Sequence, residues 1–266
     1  MKKKKVIFSY DYELFFGIMS GTVQKTLIEP TNLLLDCMES VSARVNFFIE
    51  YLVFECLEKL SDETAKSDLK LMKEQVKDMV RRGHRIELHL HPHWIDAKYN
   101  GDGTWDYTDY THYSLYSLDE DVRSRMFRDG TIYLTKLARE VDPDYTICAF
   151  RAGGWTIQPF CILKDCFKEN GIVIDSSVIH GICQDNKYSK FDFRYAPNKD
   201  IYRFLDDVCV CKNTGSSRII IEGFKTRGNT IETRSFTPRA TCKNFLEPHL
   251  ALSKIHSTAL GLDKHY

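Results

Sequence analysis

Four of the chain's nine histidines fall inside one short run, Gly83-His84-Arg85-Ile86-Glu87-Leu88-His89-Leu90-His91-Pro92-His93. Neutral imidazole is the commonest protein ligand of divalent metals. His89, at the end of an apolar stretch, can converge on one ion with His93, four residues further on in the following turn. His91 lies between the two and could replace either. A second concentration of chemistry closes the first apolar stretch of the chain, Ser9-Tyr10-Asp11-Tyr12-Glu13. Carboxylates two apart on a strand share a side, and in water-poor surroundings they repel unless a cation or an arginine compensates them. That requirement ties Asp11 and Glu13 to the histidines and to Arg151, which follows another apolar stretch. A metal held by two histidines and one carboxylate keeps positions open for water and substrate, which suits hydrolysis and not a structural role.

Such residues need elements that end where the chemistry begins. Val6 to Tyr10 reads as a short strand, Pro30 and Thr31 open a helix with Leu33, Leu34, Leu35 and Met38 on its apolar stripe, and Val45 to Ile49 reads as a second strand. Lys66 to Arg82 is an amphipathic helix stopped by Gly83, and a third strand, His84 to His89, follows at once. Trp94 to Tyr116, rich in Tyr, Asp, Gly and His, reads as a long ordered loop of the kind that carries function. Asp119 to Val141 is helical and Thr146 to Phe150 a strand. Pro159 to Asn170 is helical and Ile172 to Ile174 a strand closing on Asp175. Ile201 to Phe204 and Arg218 to Glu222 add two more strands. The repeated order of helix, glycine, apolar strand and terminal polar residue describes an α/β protein with a parallel barrel or sheet. In such folds the chemistry lies at the strand ends.

Composition narrows the remaining choices. With 266 residues, of which 43% are hydrophobic, the chain can bury a sizeable core, and a single domain over 1–266 is expected. Lys plus Arg and Asp plus Glu both number 37, so no basic field exists to hold a phosphate backbone and nucleic acid is not an expected partner. No apolar run approaches the roughly 20 residues of a transmembrane helix. Asp11 and Glu13 interrupt what would otherwise resemble a signal peptide after Lys2 to Lys5, so a cytoplasmic protein is expected. The nine cysteines are odd in number and scattered, which fits reduced thiols in apolar surroundings, and the Cys209–Cys211 spacing is not that of a zinc knuckle.

Taken in order, Ser9-Tyr10-Asp11-Tyr12-Glu13, Val45-Asn46-Phe47-Phe48-Ile49, the histidine run from Gly83 to His93, and Phe150-Arg151-Ala152-Gly153-Gly154-Trp155 resemble the NodB-type polysaccharide deacetylases, carbohydrate esterase family 4. The resemblance spans about residues 5 to 180, and the glycine-histidine strand with its i, i+4 histidine pair is its most specific part. It implies a distorted (β/α)7 barrel, a divalent metal that is usually zinc, and removal of acetyl from an N-acetylated sugar. In the family's T-F-D-D motif the first Asp is the base and the second binds metal. Here Tyr12 follows Asp11, as in Asp-x-Asp and Asp-x-Glu versions. The resemblance therefore makes Asp11 the general base and Glu13, His89 and His93 the metal ligands, with the longer arm of Glu13 leaving Asp11 itself within reach of the ion.

By the same carry-over Arg151 orients and charges the base, and Asp175 in Gly171-Ile172-Val173-Ile174-Asp175 tethers a catalytic histidine. His256 in Leu252-Ser253-Lys254-Ile255-His256 is the best match for that histidine, with His249 and His180 as alternatives. Asp11 would take a proton from water and His256 would give one to the departing amine, yielding acetate and a free amino sugar. Trp94, Trp105, Tyr107, Tyr110, Tyr113 and Trp155 offer flat faces for sugar rings, or packing for their own loops. Two rival readings stand beside this one: a related amide hydrolase, such as a deformylase, on a lipid- or nucleotide-linked sugar, and a carbohydrate-binding homologue that has lost hydrolysis.

Overall fold

The computed structural model describes residues 6–16, 19–212 and the backbone of 218–221. One seven-stranded sheet organises them: β1 (Phe8–Tyr12), β2 (Val45–Glu50), β3 (Arg85–Leu90), β4 (Ala149–Ala152), β5 (Ile174–Asp175), β6 (Ile201–Phe204) and β7 (Arg218–Ile221). The order across the sheet is β1-β2-β3-β4-β5-β7-β6. Every neighbouring pair is parallel except β6 and β7, which run antiparallel with Ile201 opposite Ile221. The α/β class read from the sequence is thus borne out, with one reversed strand at the edge.

The sheet is curled in the manner of a barrel, and Arg151 demonstrates it. β1 and β4 are separated by two strands, about 14 Å on a flat sheet and further than an arginine extends. Yet the Arg151 guanidinium on β4 reaches Asp11 and Ser9 on β1 at 2.5 and 2.8 Å, passing 4.1 Å over the Phe48 ring on β2. Only a concave face brings these strands together.

Helices pack on the outside. α1 (Glu29–Ser40) precedes β2, and α3 (Glu63–Arg81) precedes β3. α3 is capped by the Asp62 carboxylate on the Ala65 N–H at 2.9 Å and buries Met72, Val76, Met79 and Val80. Its stop is Gly83, in a left-handed conformation with φ +79°. α4 (Glu120–Arg139) buries Met126, Phe127, Leu134 and Leu137. A methyl on its Gly130 would sit 2.8 Å from Leu88, so the glycine permits close approach to β3. α2 (Tyr51–Glu58) has no counterpart in the sequence expectation: its apolar residues Leu52, Val53, Phe54 and Leu57 continue the apolar run of β2 without a break. The helix expected over Pro159 to Asn170 is split into a 3-10 turn, Phe160–Ile162, and α5 (Lys164–Glu169).

The segment after β3 is ordered by its own aromatic core. A 3-10 turn, Pro92–Ile95, leads into a small hairpin pairing Lys98–Tyr99 with Trp105–Asp106, and Trp94, Trp105 and Tyr107 are buried together. Eight cysteines are described, all free. Cys148 and Cys166 are buried, whereas Cys37, Cys161 and Cys183 are exposed, so the core-thiol expectation holds for only part of the set. Among the described residues, no helix is long and apolar enough to cross a membrane.

Candidate metal centre and catalytic cleft

Strand alternation assembles the site. Asp11 and Glu13 both border one cleft, while Tyr12 between them is buried on the opposite side and donates to Gln75 Oε1 on α3 at 2.9 Å. The same alternation at the end of β3 brings His89 and His91 to the cleft with fully buried Leu90 between them. β2 ends on Glu50, also fully buried. One of its oxygens accepts the Leu52 N–H at the start of α2, and the other lies 2.9 Å from His91 Nδ1. Ligand atoms of Glu13, Glu50, His89 and His91 all lie within 4.8 Å of one another.

The donor set of this group fits a divalent cation. His89 Nδ1 is 2.7 Å from the Arg151 carbonyl oxygen, which can only accept, so the proton sits on Nδ1 and Nε2 presents a lone pair. That lone pair faces Glu13 Oε2 at 3.2 Å, and the same oxygen is 3.0 Å from His91 Nδ1. Acceptors gathered this way need a proton or a metal between them. In the metal-free protein protons do the work. Burial pulls the His91 imidazole down, but the Glu13 and Glu50 carboxylates overcome it and push the group up to about 10. Burial likewise opposes the charged form of His89, and the Asp11 and Glu13 carboxylates raise it nonetheless. Glu13 itself, pushed up by burial, is held well below the usual carboxylate range by the charge of His91 and hydrogen bonds from both histidines.

His93 stands beside this group and not within it. The 3-10 turn begun by Pro92 swings it against Phe16 and Tyr107, at ring separations of 4.4 and 5.0 Å, and its buried Nδ1 has no hydrogen-bond partner. Burial, with the charge of His91, pulls it down to about 2, so it is a neutral imidazole. Glu50 is what sequence reasoning overlooked, and His91, offered there as a replacement for either neighbour, is the histidine that joins His89 in the group. The signal for Glu50 was an ionisable residue closing an apolar parallel strand; for His91 it was the two-residue alternation that places it with His89.

Arg151 ties Asp11, Ser9, Ser176 and His89 together. Its guanidinium bonds Asp11 Oδ1, Ser9 Oγ and, at 2.9 Å, Ser176 Oγ, while its Nε donates to the Ser176 carbonyl at 3.1 Å. Its backbone carbonyl meanwhile fixes the His89 tautomer. Asp175 is buried and thereby pushed up to about 7. It accepts from Ser177 Oγ at 2.7 Å, and Ser177 Oγ in turn accepts the Ala152 N–H, which braces the end of β4. His256 and His249 lie outside the described residues. His180 donates from Nδ1 to the Ala196 carbonyl at 2.7 Å and is not one of the residues lining the cleft.

The cleft has a volume of about 220 Å³ and joins Asp11, Glu13, His89, His91 and Arg151 to Tyr113 and Trp155. A larger groove of about 790 Å³, between Tyr116, Phe160, Phe191 and Asp207, holds no histidine and lies apart from this chemistry.

No family model matches the chain, and no curated protein matches it. Among solved structures, the chain is similar to a Mycobacterium smegmatis protein provisionally assigned as a polysaccharide deacetylase, with 15% identity and a TM-score of 0.42 over 82% of this chain and 59% of that one. It is also similar to the polysaccharide deacetylase Bc1974 from Bacillus cereus, with 15% identity and a TM-score of 0.36 over 67% and 62% of the two chains. A third is the Xyl-CE4 domain of a multidomain xylanase from the hindgut metagenome of Trinervitermes trinervoides, with 12% identity and a TM-score of 0.35 over 67% and 60%. The chain spans about three fifths of the length of the solved chains it matches.

Proposed function

We propose that the protein is a metal-dependent hydrolase that removes the N-acetyl group from an N-acetylated sugar in a polysaccharide or glycan precursor. One observation carries this reading: half-buried Glu13 and buried His89 and His91 form one group that shares a single cleft with the Asp11–Arg151 ion pair at the C-terminal ends of parallel strands. Glu13 and His89 hold the ion, as the motifs imply. His91 would take the third position, which spacing gave to His93, because its Nδ1 lies within the group, 3.0 Å from Glu13 Oε2.

Glu13, His89 and His91 would hold a divalent ion, zinc in this reading, which would supply Lewis-acid chemistry beside Asp11. Asp11 is the base. Arg151 occupies its Oδ1 and leaves Oδ2 to take the proton, and Ser9 and Ser176 fix the guanidinium so that the base keeps its orientation. Arg151 thus couples the two halves of the site, since its side chain sets the base and its carbonyl sets the ligand tautomer. The departing amine takes its proton from His256, the histidine that Asp175 is proposed to tether.

The test is release of free amine from chitin oligosaccharides by the purified protein, abolished by a chelator and restored by zinc. Binding of the oligosaccharide without amine release would favour a carbohydrate-binding homologue. Turnover of N-formyl but not N-acetyl sugars would favour the deformylase.

A further inference from the structure

We infer that the site also removes apolar acyl groups longer than acetyl, which it takes into a separate pocket between the end of β1 and α1. This rests on the amide-hydrolase reading and extends it to sugars whose nitrogen carries a hydrocarbon chain. The pocket has a volume of about 330 Å³, against about 220 Å³ for the catalytic cleft. It lies within the range of small-molecule sites, whereas the methyl of an acetyl group would leave most of it unfilled.

Position and chemistry both point to an acyl chain. Asp11, Glu13 and Phe16 line the two cavities in common, so the assigned base and one carboxylate of the candidate centre stand where the cavities meet. Phe16 is the partition, its ring 4.4 Å from those of both His91 and His93. An amide carbon attacked beside Asp11 has two substituents to place, the sugar nitrogen and the acyl chain. The cleft offers Arg151, Ser176, His89, His91 and Tyr113 to a polar sugar. The pocket offers nothing comparable. Its charged lining is Asp11 and Glu13, both at the shared edge, and the Thr26 hydroxyl is already donated to the Thr22 carbonyl at 2.7 Å. The rest is apolar: buried Leu27 and Phe47, with Pro30 and Leu34 one turn apart on α1. Tyr10 and Phe15 complete the wall while 39% and 61% exposed, which leaves apolar surface for a chain to cover. No lysine or arginine lines the pocket, and its two carboxylates repel anions, so the phosphate of a nucleotide- or lipid-linked sugar does not suit it. A neutral hydrocarbon joined to the scissile carbonyl does. Hydrolysis then needs no further reactant: the water oxygen bonds the acyl carbon, the C–N bond breaks, and both water hydrogens end on the nitrogen. A fatty carboxylate and an ammonium sugar leave.

The test compares N-octanoylglucosamine with N-acetylglucosamine. Amine release from the octanoyl sugar should show a kcat/KM on the order of tenfold higher, and Leu34→Trp, which fills the pocket from α1, should bring the ratio back towards one. The ratio cancels any general loss of active protein in the variant. Calorimetry on chelator-treated protein gives a readout independent of turnover: the octanoyl sugar should bind on the order of tenfold tighter than the acetyl sugar, with a negative heat-capacity change. A wild-type kcat/KM ratio at or below one, with acetyl removed, would overturn the pocket and leave the deacetylase reading standing. A ratio unmoved by Leu34→Trp would also overturn it. Tighter binding of the octanoyl sugar without amine release from either would support the pocket as a chain-binding site and overturn the hydrolase reading on which its activity rests.

Discussion

Raising the pH on metal-stripped protein tests the electrostatics of the candidate centre. Against the opposing effect of burial, Glu13 and Glu50 push the His91 imidazole up to about 10. A folded pKa above the unfolded value of about 6.5 means that the native state binds the proton more tightly. The resulting stability is full below about pH 6.5 and is lost as the pH climbs through about 10. A difference of roughly 3.5 pH units at about 1.4 kcal/mol each caps the contribution at about 5 kcal/mol. Thiols act in the same direction, since burial pushes Cys56 up to about 12 and Cys209 up to about 11 while unfolded thiols ionise earlier. Wild type and His91→Gln must therefore be compared, because the thiol contribution cancels between them. Urea denaturation of chelator-treated protein near pH 6.5, 8 and 9.5 should show wild type losing stability relative to His91→Gln by about 1 kcal/mol per pH unit. Parallel curves for the two proteins would refute a histidine charged by Glu13 and Glu50. Metal affinity should move the opposite way and rise with pH, because loading displaces that proton.

Asp11→Asn should lower amine release about 10²- to 10⁴-fold while metal content stays at the wild-type level, since Asp11 is assigned as base and not ligand; amine release by steady-state assay and metal by elemental analysis decide it. Gly153→Ala should cost about 1–3 kcal/mol in thermal or urea unfolding, because the added methyl meets the His91 ring at 2.2 Å, and should weaken metal binding as that ring is displaced. Wild-type stability in Gly153→Ala would mean that the turn is not wedged against His91.

Much of the fold was legible because strand ends and helix stripes are local signals. α3 and α4 follow from their 3.6-residue periodicity, Asp175 closes an apolar strand, and Asp11 and Arg151 each stand one residue before a strand's end. What was missed lay where local signals merge or where the chain turns. The apolar run of β2 passes directly into α2, so neither the helix nor its capping residue Glu50 stands out. Spacing alone gave His89 and His93 one ion, but a residue beyond Pro92 takes its direction from the turn, and the turn packs His93 against Phe16 and Tyr107. The simpler two-residue alternation of the strand carries one step past its end and puts His91 with His89. Of the six candidate sugar-facing aromatics, burial sets aside Trp94, Trp105 and Tyr107, a distinction no spacing contains.

The most direct test of the central claim, that Glu13, His89 and His91 hold one catalytic ion, is metal stoichiometry measured alongside amine release in wild type, His89→Ala, His91→Ala and His93→Ala. The account predicts near one divalent ion per chain in wild type and in His93→Ala, and loss of both metal and amine release in His89→Ala and His91→Ala. Metal lost in His93→Ala but kept in His91→Ala would return the third ligand to the position that spacing named, and a wild-type protein that takes up no metal would contradict the account.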